Sequence, residues 1–307
     1  MNAFWESKGL ITDDQFRRFC SPIVPLLRYK KPAYNNNEQF TAEAQLANFS
    51  NKPLMVEPVW VIADQHNNIL FRGKLKRSAV AIGNNNRLGD IKVDLSSIKQ
   101  AEKLTITLTI PKTNSKNNWN IWVYPANISG TESRVKFTTS VEEALSNLKN
   151  GETVILNPNT GSINGLPGTF MTVFWGPVYK RNNGTMGILC DPNNPALKNF
   201  PTDFYSNWQW WDLNMHSKTM IIDSLPASIH PIVRMVDNFY KNRKLADIIE
   251  MQVGQGKLIL CSIDIHSDLV NRPAARQLKY SLLKYAESSD FKPSVKIEES
   301  KLRFLLK

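Results

Sequence analysis

Between residues 26 and 124 the chain repeatedly alternates apolar and polar side chains, and after residue 134 that regularity stops. The change of period is the strongest constraint on the fold. Alternation at every second residue fits a strand with one buried face and does not fit a helix. The run Leu104-Thr105-Ile106-Thr107-Leu108-Thr109-Ile110 alternates most cleanly, and 40–47, 59–63, 69–75, 90–95 and 119–124 repeat the theme. Asp64-Gln65-His66-Asn67-Asn68 is turn chemistry, so the runs on either side of it should pair as a hairpin. Six or seven short strands with polar loops predict an immunoglobulin-like β-sandwich over 26–125. The Cys…Trp…Cys spacing of antibody domains is absent.

Residues 1–25 precede that pattern. Thr12 is a good N-cap with Asp13 and Asp14 in the first turn, so a short helix is predicted over 12–19, stopped by Pro22 and Pro25. Residues 126–133 are small and polar and read as a linker. In 134–290 strands and helices intermix. A short strand at 135–137 leads to a helix capped by Ser140, with Glu143 completing a capping box, and then to a strand at 153–156. Strand, helix and strand in that order form a βαβ unit with parallel pairing. Further strands are predicted at 185–190, 219–222, 245–253 and 257–263, with Gly254-Gln255-Gly256 as a hairpin turn and Pro273 opening a helix. The expected architecture is an open α/β domain with an antiparallel edge, of the flavodoxin or class I glutamine amidotransferase type, followed by a loosely held charged tail at 291–307.

Composition narrows the function classes. The net charge of the 307 residues is +11, but Lys and Arg are dispersed and no long basic run marks a nucleic-acid arm. No apolar stretch is long enough to span a membrane, and no signal-peptide core is visible at the N-terminus. Cys20, Cys190 and Cys261 fit no metal-ligand spacing, and His66, His216, His230 and His266 are scattered singly, so no metal site is expected. No phosphate-binding glycine loop occurs, and no cofactor is expected.

The most distinctive segment is Phe204-Tyr205-Ser206-Asn207-Trp208-Gln209-Trp210-Trp211-Asp212-Leu213. Aromatic faces stack on sugar rings and the interleaved polar groups can bond hydroxyls, although Trp equally serves packing and interfaces. Asn207, Trp208, Trp210 and Trp211 are candidate sugar or partner contacts, with His216 close by and Trp175 in Phe174-Trp175-Gly176-Pro177. Cys190-Asp191-Pro192 follows a strand, and ligands collect beyond the carboxyl ends of strands in open sheets, which adds Asp191. A catalytic thiol would need a glycine-flanked elbow and a His partner. Neither Leu189-Cys190-Asp191-Pro192 nor Leu260-Cys261-Ser262 provides that elbow, so a hydrolase using Cys190, Asp191 or His216 is only the alternative reading. A free-standing carbohydrate-binding protein is the other.

Several segments resemble the C-terminal region of family 2 glycoside hydrolases, the β-galactosidase-like enzymes of Bacteroidetes type. They are Asn2-Ala3-Phe4-Trp5-Glu6-Ser7-Lys8-Gly9, Phe16-Arg17-Arg18-Phe19-Cys20, Trp119-Asn120-Ile121-Trp122-Val123-Tyr124-Pro125, the aromatic segment, Arg234-Met235-Val236-Asp237-Asn238-Phe239, and Arg272-Pro273-Ala274-Ala275-Arg276-Gln277-Leu278. The resemblance implies that residues 1–9 are the last remnant of a (β/α)₈ barrel whose two glutamates carry the reaction. The region before the sandwich is far shorter than the roughly 250 residues a barrel needs, so no catalytic residue is carried over. The implied function is an accessory module: scaffold, oligomer contact or wall of a substrate cleft. Its partners would be carbohydrate, the barrel of a parent enzyme or a second copy of the chain. Such parents are usually periplasmic or secreted. An apolar surface near Phe4, Trp5 and Phe16 is expected where a barrel would dock.

Overall fold

The computed structural model describes residues 3–4, 6–128, 134–169, 185–238 and 240–306. The chain divides into two compact units, Met1–Ala126 and Asn127–Lys307.

The first unit opens with a one-turn helix α1 (Asp13–Arg17), where Thr12 and Gln15 form a reciprocal capping box. The helix is shorter than the sequence suggests and buries none of its side chains. Ten strands follow. β1 (Ile23–Tyr29), β3 (Gln39–Asn48) and β8 (Gly83–Asp94) make one antiparallel sheet. β2 (Ala33–Asn35), β5 (Val59–Ala63), β6 (Ile69–Lys74), β9 (Glu102–Ile110) and β10 (Ser115–Tyr124) make a second, in the order β2-β10-β9-β5-β6. β4 (Leu54–Val56) pairs with β7 (Ser78–Val80). The alternation explains the packing. On β9, Leu104, Ile106, Leu108 and Ile110 are buried and join Phe40, Leu46, Ile62, Ile91 and Leu95 from the other strands in one core. The β5–β6 hairpin forms as the turn chemistry requires. The Asp64 carboxylate accepts from the His66 and Asn68 amides, and Asn67 takes the left-handed conformation. The Trp60 indole lies on Gly73 so closely that any Cβ there would come within 2.6 Å of it. Fully buried Asn48 staples the end of β3: its side-chain amide donates to the Lys52 and Ala81 carbonyls, and its oxygen accepts from Ser50.

The second unit contains one mixed sheet. β11 (Lys136–Thr138), β12 (Thr153–Leu156) and β18 (Gly256–Cys261) run parallel. β17 (Leu245–Val253) pairs antiparallel with β18, and outside it come β15 (Lys218–Ile221) and β13 (Gly165–Pro167). β16 (Val233–Val236) pairs with β17, and β14 (Gly187–Cys190) pairs with β16. Helix α2 (Val141–Lys149) makes the crossover between β11 and β12. Its cap differs from the expected box. The Ser140 hydroxyl accepts from the Glu143 amide, but the Glu143 carboxylate accepts from Thr138 rather than from the Ser140 amide. Ala144, Leu145 and Leu148 of α2 pack on Val154, Leu156, Ile249, Met251, Leu258 and Leu260. Helix α4 (Pro273–Glu287) covers the opposite face, where the Tyr285 hydroxyl donates to Glu250, a residue that alternates with Ile249 and Met251. Helix α3 (Trp210–Met215) packs beside α4.

Two expectations change in the structure. The open α/β expectation of flavodoxin or class I glutamine amidotransferase type is supported only at the coarser level of a β-rich, multidomain protein. From β17 outward the sheet is antiparallel, α2 is the one helical strand-to-strand crossover between parallel neighbours among the described residues, and strand outweighs helix, 40% against 17%. The molecule is a β-rich, multidomain protein. The charged tail is also not loose. β19 (Lys296–Ile297) pairs with β17, and helix α5 (Glu299–Phe304) and the residues after it insert Leu302, Leu305 and Leu306 into the α2-side core. Its charges dominate its composition, but the spacing of its leucines decides its fate.

Candidate functional site

The aromatic segment separates into a buried half and an exposed half. Trp210 is fully buried, edge-to-face with Phe200 at 5.3 Å between ring centroids, and its Nε1 donates to Thr202 at 2.8 Å. It belongs to the core and is withdrawn as a contact residue, because the first turn of α3 points it inward. Trp208 (54% exposed) and Trp211 (44%) lie 6.1 Å apart with rings inclined at 47°. Phe204 (60%) and Tyr205 (49%) form a second exposed pair, edge-to-face at 4.9 Å. Met215, four residues after Trp211, is also exposed. Asn207 serves the turn: its amide donates to Asp203, and its oxygen accepts from the Gln209 backbone. Trp175 lies outside the described residues.

His216 ends α3 and is exposed. Its Nδ1 lies 2.8 Å from the Asp212 carbonyl and 3.1 Å from the Asp212 carboxylate. The other Asp212 oxygen accepts from Arg272 Nε at 2.8 Å, and Arg272 Nη1 reaches Ser267 O at 3.2 Å and Asp264 at 3.5 Å. Asp264 lies beside His266, whose Nδ1 is 2.7 Å from Asn157 Oδ1 and whose Nε2 is 3.1 Å from Asn159 Oδ1. Burial pushes the Asp264 carboxyl up, but hydrogen bonds from the Ser267 and His266 amides and the nearby imidazole outweigh it, and the group is held below the usual carboxylate range. Asn157 is fully buried and joins the ends of β12 and β18, donating to the Cys261 and Ile263 carbonyls. Single residues in the sequence could not announce this chain of His, Asp, Arg, Asp and His. The available signals were Asn157-Pro158 closing one strand and His266 shortly after another.

Asp191 and Cys190 do not join it. β14 runs antiparallel to β12 and β18, so its carboxyl end is directed away from theirs. The Asp191 carboxylate is exposed and accepts from the Asn193 amide, a turn role. The Cys190 thiol donates to the Asp203 carbonyl, and burial pushes it up to about 12, so it stays protonated. No imidazole bonds it among the described residues. Cys261 is fully buried. Two open cavities, of about 550 Å³ beside Leu148, Val253 and Lys296 and about 510 Å³ beside Arg134, Glu152 and Lys284, contain none of these groups.

The fold thus defines a β-rich protein of two units, with the exposed aromatic pairs of the 204–211 segment and the polar network in the second. Residues 136–307 match the family described as Domain of unknown function (DUF8487), and the chain belongs to that family. Residues 38–125 match a second, Domain of unknown function (DUF8488). No curated protein matches the sequence. Solved structures that resemble it include a Pseudomonas fluorescens alkylpurine DNA glycosylase bound to abasic-site DNA, with 9% identity, TM-score 0.28, and 34% of this chain and 30% of that one covered. The CARDB domain of a Pyrococcus furiosus protein with di-metal ions has 9% identity, TM-score 0.26 and coverage of 34% and 93%. Bacteroides uniformis beta-glucuronidase 2 has 12% identity, TM-score 0.23 and coverage of 44% and 20%. These are distant likenesses over part of each chain.

Proposed function

We propose that the chain is an accessory module of the glycoside-hydrolase kind that contacts carbohydrate through the second unit. The observation that carries this reading is the pair of exposed aromatic clusters, Trp208 with Trp211 and Phe204 with Tyr205. Inclined rings with polar neighbours suit the C–H faces and hydroxyls of sugars. The resemblance to the C-terminal region of family 2 glycoside hydrolases supports the same reading. In it the first unit is an immunoglobulin-like sandwich, consistent with an opening segment split between the two sheets: β1 pairs with β3, and β2 runs parallel to β10. A second surface is assigned to a partner domain, such as the barrel of a parent enzyme. Phe4, Leu10, Ile11, Phe16 and Phe19 are all exposed large apolar side chains within a short stretch. The hydrolase alternative has less support, since Cys190 stays protonated.

Titrating the purified chain with neutral galactan oligosaccharides while following tryptophan emission tests this. A saturable change that disappears in the Trp208→Ala/Trp211→Ala variant is expected. A flat response to every glycan tried, with the chain folded, overturns it.

A further inference from the structure

Beside the aromatic segment the structure presents a row of side chains of which the sugar reading uses only Tyr205. Arg234 on β16 is the cross-strand partner of Leu189 on β14, and Leu189 is bridged to Tyr205 on its other side. Directly opposed residues of antiparallel pairs project from the same face, so Tyr205, Leu189 and Arg234 form one continuous strip. All three are exposed, while their neighbours Ile188, Val233 and Met235 are buried. Edge-to-face contact with Phe204 steadies the Tyr205 ring. The Arg234 guanidinium has neither a hydrogen bond nor an ion pair among the described residues. This contrasts with Arg18, Arg87, Arg243, Arg272 and Arg303, each held by carboxylates. The loop between β16 and β17 adds exposed Lys241 and Lys244, which also lack ion pairs there, while its Arg243 is held by Asp237. Arg234, Lys241 and Lys244 are thus three cations without ion pairs among the described residues, with the Asp223 carboxylate beside the Lys244 amide.

We propose that the Tyr205–Leu189–Arg234 strip binds a glycan carrying an anionic group, with Arg234 taking the anion and Tyr205 stacking on the ring. A planar guanidinium donates two parallel hydrogen bonds to a carboxylate or a sulfate, and an aromatic face two strand spacings away, about 10 Å, suits a neighbouring pyranose. The proposal rests on the carbohydrate reading and adds the charge class of the ligand. A nucleic acid shares the charge but would engage a longer basic track.

The test compares four probes on the intact chain at fixed low ionic strength: an oligogalacturonate, a sulfated galactan oligosaccharide, a neutral galactan oligosaccharide and single-stranded RNA. The expected result is binding of the carboxylated or the sulfated probe about tenfold tighter than the neutral one. Arg234→Gln should abolish that preference and leave neutral binding and the melting temperature unchanged. Which anionic probe binds tighter distinguishes carboxylate from sulfate. Equal binding of neutral and anionic probes, untouched by Arg234→Gln, overturns the anion assignment and leaves the sugar reading standing. Binding of RNA as tight as that of either anionic sugar overturns it in favour of a general polyanion surface. No binding of any sugar removes both readings.

Discussion

The two units solve the same problem, closing the ends of a sheet, with the same device and different surroundings. Asn48 in the sandwich and Asn157 in the mixed-sheet unit are both fully buried, and both spend their side-chain amides on two backbone carbonyls beyond a strand end. Around Asn48 the other partner is Ser50, and the bonding extends only to Asn86, which shares the Ala81 carbonyl and donates to the Leu46 and Gly83 carbonyls, without reaching a charged group among the described residues. Around Asn157 the bonding continues through His266, Asp264, Arg272 and Asp212 to His216 at the surface. A regular two-sheet core leaves its strand ends with little to do beyond stopping. A sheet that is parallel on one side and antiparallel on the other brings charged side chains together where its strands end, as open α/β sheets do.

The comparison can be broken at several points. The largest effect is expected inside the aromatic segment. Trp210→Ala should cost about 3–5 kcal/mol in urea unfolding, the range for deleting a fully buried aromatic, whereas Trp208→Ala should cost under about 1 kcal/mol. Similar losses from both would mean that the exposed ring is structural. Next come the two asparagines. Asn48→Ala and Asn157→Ala should each cost about 1–3 kcal/mol, since each removes several hydrogen bonds from a fully buried side chain. Asn157→Ala alone should also shift the His266 imidazole resonances in NMR, which would sharpen the distinction between an isolated staple and a connected one.

Asp247 gives a pH-dependent effect of about 2–3 kcal/mol. The residue is fully buried, and burial pushes its carboxyl from 3.8 up to about 6, with Thr219 and Ser262 only partly restraining it. A raised folded-state value means that stability is fully present below the unfolded value and declines as pH rises through about 6. Asp247→Asn should therefore gain on the wild type between pH 4 and pH 7 and hold a constant advantage above that. An advantage independent of pH would show that the carboxyl titrates in the folded chain as it does in the unfolded one, and an advantage that keeps growing above pH 7 would show that it never ionises in place. The smallest effect is the removal of an exposed pair: Trp208→Ala/Trp211→Ala should leave the thermal midpoint nearly unchanged while altering sugar titrations.

The sandwich strands were legible because one buried face writes itself into every second residue; Leu104 to Ile110 needed no other information. The β17–β18 hairpin and the α2 crossover were legible for a related reason, a strong turn or cap beside an apolar run. β16 was not, because Val233-Arg234-Met235-Val236 is too short to show a period. Trp210 could not be told from Trp208 and Trp211, since sequence gives composition and not the direction in which a single helical turn points. The anchoring of the tail is hidden in the sequence because its lysines and glutamates outnumber the leucines that hold it. The Arg234 strip was invisible because its members come from three distant segments.

That anchoring has a consequence for how the molecule is made. Ile297, Leu302, Leu305 and Leu306 complete a core whose other members begin at Ala144. Until these residues leave the ribosome, the second unit lacks β19 and has an unsealed interior. The sandwich, whose elements all precede Ala126, can already have closed. Closure of the second unit therefore waits for residues 297–306 to emerge, and a chain cut before Ile297 would carry a finished first half attached to a half that cannot set.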